Sequence, residues 1–277
     1  MDNRPFFSVR TATGASRLPR FKALIELMLV LTPCAHGAAD DAFVAGQIAF
    51  AADAVADFDF DSPRIRDPRF VLPLLIVDAF LEAAGRDAAP VRAVAARALA
   101  VRPSEEIGFV TPYRRFELLM LLERTGFAER DAQRFAGAYA ACLAPLGRAV
   151  SAFGHEQFYG LTHLVFSLCR YGAADARERI TVTELDRLRW LVRICARMAL
   201  IDGDLDLLPE LVLCSQLLHD GDERFVELAL AHAAGAQNAD GSVPGGAGGA
   251  GDAQALYHPT LMWAYAASLA ARTAAKA

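Results

Sequence analysis

From Phe21 onward the apolar positions recur at helical spacing. Leu24, Leu27, Met28 and Leu31 share one face, and Pro33 is the expected end of that run before a second helix over 40–58. Asp67-Pro68 reads as an N-cap followed by Pro at the first helical position, opening a helix over 70–84 that Gly85 stops. Thr111-Pro112 repeats the signal for 113–125, closed by Gly126-Phe127. Further helical runs fall at 90–101, 129–143, 155–169, 183–200, 207–218, 222–235 and 259–275. The pattern predicts about eleven helices with short connections and no credible strand. The fold class is therefore all-α, as an α/α toroid-like array of helical hairpins. The alternating run Asp57-Phe58-Asp59-Phe60-Asp61 is cut off by Ser62-Pro63 and reads as a loop, and 241–251 as a flexible Gly-rich loop. Residues 1–19 read as an N-terminal arm, which leaves 20–277 as a single all-α domain.

Composition narrows the picture. With 277 residues, 54% hydrophobic and 22% charged, the chain buries a substantial core, and its abundant alanine suits close-packed helices. The Ala, Arg and Gly bias points to a GC-rich bacterial genome. A net charge of −5 gives no basic field for a phosphate backbone, so nucleic acid is not an expected partner. The five cysteines are spread singly at 34, 142, 169, 195 and 214 and read as buried reduced thiols rather than a metal knuckle or disulfide framework. Residues 24–39 resemble a signal peptide only until Glu26 interrupts them, and an Arg-bearing tail precedes them. No run of about 18 uncharged apolar residues occurs, so no membrane span is expected and the location is read as cytoplasmic.

The candidate chemistry concentrates between Asp202 and His258. Asp202-Gly203-Asp204-Leu205-Asp206 opens this stretch and Tyr257-His258-Pro259-Thr260 closes it, each at an expected helix start, where a side chain projects past the helix end. A second constellation runs from Gly154 to His163. Its two histidines, His155 and His163, lie about 80° apart around a helix and about 12 Å along it, too far to chelate one ion together. Tyr159 lies between them on the same side. Either histidine, joined by His258 and by Asp202 or Asp204, makes two imidazoles and a carboxylate. That set suits Fe(II) with open positions, or a catalytic Zn(II) that acidifies bound water. The metal candidates are His163, Asp202, Asp204 and His258; Tyr159, His155 and Glu210 would orient substrate, transfer protons or support ligands.

Several alternatives fail on spacing. The HExxH pattern breaks at Tyr159, and an EF-hand starting at Asp202 would put Leu207 and Leu213 where Gly and Glu are required. No Gly-x-Ser-x-Gly elbow or phosphate-binding loop is present. Each candidate also has a purely structural counterpart. The Asp202–Asp206 group can be an N-cap and turn, and Glu210 a first-turn acid in the helix dipole. His219 and His232 read as structural. Arg114-Arg115 and Arg170 are charges at helix ends, either solvated or in contact with an anionic substrate.

Gln237, Asp240-Gly241-Ser242, Asp252 and Tyr257-His258 together resemble the Gln…Asp-Gly repeat signature of terpene cyclases and protein prenyltransferases. The resemblance covers the last quarter of the chain and implies an α/α toroid of inner and outer helices. It extends to prenyltransferase β subunits, whose Asp-Gly-Cys and Tyr-His-Thr motifs supply zinc ligands. Asp202 then matches the family's carboxylate ligand, Asp204 stands where its cysteine would be, and His258 matches its histidine. A carboxylate in place of the thiolate removes the soft ligand that activates a thiol substrate, which departs from thiol prenylation. Trp263 is not where the repeat puts its tryptophan. The chain is also similar to uncharacterised bacterial helical proteins of natural-product pathways.

The resulting expectation is a metal-dependent enzyme, using Fe(II) or Zn(II), that acts on a small-molecule, carrier-borne or peptide-borne metabolite in bacterial specialised metabolism. Two alternatives stand beside it. One is a helical scaffold that binds a peptide or protein partner; the other is a metal-free terpenoid-cyclase-like enzyme.

Overall fold

The computed structural model describes residues 7, 17–35, 41–56, 58, 67, 70–109, 111–245 and 253–274, and among them it is helical with no strand. The chain forms two compact units, Asp2–Cys142 and Leu143–Ala277, where the helical pattern alone reads 20–277 as one domain. Of the expected N-terminal arm, residues 1–6 and 8–16 lie outside the described residues. So do His36, most of the acidic-aromatic loop, Pro68 and residues 246–251.

In the first unit α1 (Arg17–Ala35), α2 (Ala42–Ala56), α3 (Val71–Ala83), α4 (Ala89–Val101) and α5 (Pro112–Arg124) are followed by α6 (Ala132–Leu143) at its end. α3 is the central element. Its residues from Val71 to Leu81 are all buried except Pro73, because the helix is apolar on every side and packs against α1, α4 and α5. One buried acid interrupts it. Asp78 is fully buried, and Arg92 of α4 reaches in to donate from Nη2 and Nε to Asp78 Oδ2 at 3.0 and 3.3 Å. Pro33 lies inside α1, in its last turn, rather than ending it. A proline that late removes one backbone bond where the helix is already finishing, so the helix runs on to Ala35.

The second unit holds α7 (His155–Leu168), α8 (Val182–Asp202), α9 (Leu207–Leu217), α10 (Glu223–Ala236) and α11 (Ala253–Ala274). α9 plays the part here that α3 plays in the first unit. Every residue of it except Gln216 is buried, against α11, α8, α7 and α10. It too carries one buried acid, Glu210. α8 begins with a capping box in which Thr181 and Glu184 satisfy each other's backbone N–H groups. Arg189, Arg193 and Arg197, spaced one turn apart on α8, grip the chain leaving α9. Arg189 donates to the carbonyls of Leu218 and His219 at 2.9 and 3.1 Å, satisfying groups that a helix end leaves bare. Arg193 pairs with Asp220, and Arg197 Nη2 donates to Asp222 Oδ2 at 2.6 Å. Among the described residues no helix is long and apolar enough to cross a membrane.

Candidate functional site

α7 and α9 lie side by side, and their polar contacts advance together along both. Tyr159 OH donates to Asp206 Oδ2 at 3.1 Å, Thr162 Oγ1 to Glu210 Oε2 at 2.6 Å, and Cys169 Sγ to the Leu217 carbonyl at 3.7 Å. The two helices therefore run in the same direction. Tyr159 and Thr162 share a face of α7, as Asp206 and Glu210 share the end and first turn of α9. α11 closes the group: His258 Nε2 donates to Glu210 Oε1 at 3.0 Å. The buried carboxylate thus divides its two oxygens between a threonine and a histidine. Glu210 is only 3% exposed, while the His258 side chain is 22% exposed and reaches the surface.

Burial sets the electrostatics. It pushes Asp206 above the usual carboxylate range, and the neighbouring carboxylates of Glu210 and Asp204 add to the rise, while His258 and the Tyr159 hydroxyl hold it down in part. The Tyr159 phenol is pushed up as well, first by burial and then by the charges of Asp206 and Glu210. It stays protonated and acts as the donor toward Asp206. A methyl group on Gly245 would meet the Asp206 side chain at 3.6 Å and Pro259 at 3.7 Å, so the chain before α11 passes directly over Asp206. Val243 N donates to Thr260 Oγ1 at 2.9 Å and pins that segment to α11.

The expected site residues fall in two sets. Glu210, His258 and Tyr159 come together, though His258 lies within α11, which starts at Ala253, rather than at a helix start. Pro259 is accommodated inside that helix. The residues before it are held by Tyr257, which is buried, and by the bond from His258 to Glu210. Asp202 and Asp204 do not open a helix as a pair. Asp202 is exposed at the last position of α8, and Asp204 Oδ1 accepts from the backbone N–H groups of Asp206 and Leu207 at 3.1 and 3.0 Å, a turn that leads into α9. His155 and His163 belong to a row of rings along α7: His155 stacks on Tyr159 at 5.3 Å, and His163 sits 6.4 Å from Tyr159 and 6.3 Å from Phe166. Among the described residues no group of three or more His, Cys, Asp or Glu is placed to hold a metal ion. Asp204 is engaged through Oδ1 by backbone N–H groups, and Asp202 lies on the surface.

Gly203 between these aspartates has a conformational reason to be glycine. It caps α8 with φ 67°, in the left-handed region. A Cβ there would meet nothing within 4 Å, so the cost of Gly203→Ala is conformational alone. The substitution is expected to lower stability by about 1 kcal/mol. Urea unfolding followed by tryptophan fluorescence measures it, and an unchanged midpoint would contradict the left-handed cap.

Two residues of the cluster were not singled out as site residues from the sequence: Asp206, which receives Tyr159, and Thr162, which is fully buried against Glu210. Their signal is the matching spacing of polar residues on two otherwise apolar helices. The Gln237 to Ser242 motif closes on itself. Gln237 Nε2 donates to the Gly241 carbonyl at 2.7 Å, Asn238 N to the Ser242 carbonyl at 2.8 Å, and Ser242 Oγ to Asp240 Oδ1 at 2.7 Å.

Fold and cluster together define an all-α protein whose second unit carries a buried carboxylate–imidazole pair, with a tyrosine–aspartate pair beside it. Across residues 1–268 the chain matches the family described as Domain of unknown function (DUF6895), and it belongs to that family. No curated protein and no solved structure matches it.

Proposed function

We propose that Leu143–Ala277 holds a metal-independent acid–base site for a small polar metabolite, with His258 as the group that gives and takes the proton. The carrying observation is the division of the Glu210 carboxylate between Thr162 and His258. Thr162 fixes the carboxylate, which fixes the imidazole ring and assigns its proton to Nε2. Glu210 is thereby a positioning residue. The arrangement is the one in which a buried carboxylate orients a histidine for proton transfer, although fold alone assigns no reaction. Tyr159, half-buried with its phenol protonated, and Asp206 beside it offer a donor and an acceptor for a hydroxyl or carboxyl group. The exposed ring of His155 stacks on Tyr159 at the surface end of the row. The cluster lies wholly within the second unit and does not depend on an α/α-toroid arrangement.

The test is a thermal-shift screen of the intact protein against small hydroxylated and carboxylated metabolites, with metal content measured in parallel. A ligand of this site at about 100 times its Kd should raise Tm by about 5–10 °C. That rise should fall by more than half in His258→Gln and in Tyr159→Phe. A screen without a stabilising compound, or one whose hits act equally on both variants, would overturn the assignment. Near-stoichiometric iron or zinc that is lost in His258→Gln would replace it with the metal-dependent reading.

A further inference from the structure

The first unit contains a separate cavity of about 230 Å³ between α5, α6 and the short 3-10 turn Ser104–Glu106. Its wall is apolar. Ile107, Leu118, Leu119 and Leu122 line it, each less than 10% exposed. On the α6 side the lining residue is the small Ala138. At the rim lie two arginines, Arg115 and Arg134, and among the described residues the lining holds no acidic side chain.

The two neighbouring arginines of α5 have different fates. Arg114 donates to the buried Glu117 at 2.6 Å and lies over the Tyr113 ring at 5.5 Å. Arg115 is exposed and makes no hydrogen bond or ion pair among the described residues. It stands one turn before Leu118 and Leu119, on the face that borders the cavity. Arg134 Nη2 lies 3.5 Å from Ser104 Oγ across the same opening. The Arg115 guanidinium, with no carboxylate partner among the described residues and beside an apolar hole, complements a molecule with an anionic head and an apolar tail. The volume falls below the roughly 300–1,000 Å³ of drug-sized pockets, which limits the ligand to about ten non-hydrogen atoms.

We infer that this cavity binds a short- to medium-chain monocarboxylate, tail against the leucines and carboxylate toward Arg115. The site is independent of the acid–base cluster in the other unit. Isothermal titration of the intact protein with octanoate tests it, with octanol as the uncharged analogue and butyrate as the short one. Octanoate should bind with a Kd of about 0.1–1 mM, as befits a ligand of that size. Octanol and butyrate should each bind at least about fivefold more weakly. Arg115→Ala, at an exposed position that leaves the core untouched, should weaken octanoate about five- to tenfold. Ala138→Phe, which fills the cavity, should abolish binding while the circular dichroism spectrum stays helical. No binding by wild type at about 5 mM octanoate, well above the expected Kd, would overturn the inference. Equal affinity in both variants, with the fold intact, would overturn it too.

Discussion

Replacing Arg92 by alanine is expected to destabilise the first unit by about 2–4 kcal/mol at pH 8 and by much less near pH 4, close to the unfolded carboxyl value. Asp78 sits in the middle of a helix buried on all sides, and its Oδ1 has no hydrogen-bond partner among the described residues. The charge on its other oxygen is met by Arg92, which also donates to Glu82 Oε1 at 2.8 Å and to the Thr125 carbonyl at 3.3 Å. Even so, burial outweighs the arginine and holds the Asp78 carboxyl above its ordinary value. A carboxyl whose folded pKa is raised contributes stability that is fully present below its unfolded pKa and is lost as pH rises through the folded one. Without Arg92 the folded pKa moves up further, so the loss by pH 8 is deeper; at low pH the carboxyl is neutral in either protein. The 42% exposure of the Arg92 side chain keeps the expected cost below that of a fully buried pair. Both tryptophans, Trp190 and Trp263, lie in the other unit, so far-UV circular dichroism must follow this loss while fluorescence serves as an internal control. An equal deficit at both pH values would refute the buried-charge account.

How much of this was legible beforehand depends on the kind of signal. The helices follow from apolar periodicity and from caps such as Thr111-Pro112, and α5 begins at Pro112 as that signal requires. The prolines misled in two ways: Pro33 falls in a last turn that loses little to it, and at Pro259 tertiary contacts hold the residues before it in the helix. The centrality of α3 and α9 is written in their apolar residues on every side, and that same background makes Asp78 and Glu210 stand out. What the sequence withholds is adjacency. Periodicity places Tyr159 with Thr162, and Asp206 close to Glu210, but not one pair against the other. The Asp-Gly-Asp run shows residue types suited to metal binding serving at Gly203 and Asp204 as a helix stop and a turn.

Replacing Glu210 by leucine is expected to lower the stability of the second unit by about 2–4 kcal/mol, read by tryptophan fluorescence during urea unfolding. The cost falls on the groups left behind. Thr162 is fully buried, but its hydroxyl also lies 3.3 Å from the Tyr159 carbonyl and can rely on that bond. His258 loses the acceptor of its Nε2 proton, which makes it the larger share. Thr162→Val alone leaves one Glu210 oxygen bare, whereas the double variant removes both ends of that bond. The two changes should therefore cost at least about 1 kcal/mol less together than separately, and strict additivity would deny the coupling. Glu210→Gln separates a brace from an acid–base site. Its amide can accept from His258 through oxygen and meet the Thr162 hydroxyl through nitrogen, so the helices stay tied at a cost of about 1 kcal/mol. The negative charge beside the imidazole is gone. A ligand of the His258 site should then bind at least about tenfold more weakly to a protein that is still folded. Undiminished binding in Glu210→Gln would assign Glu210 to packing α7, α9 and α11 together and leave proton chemistry at His258 without its support.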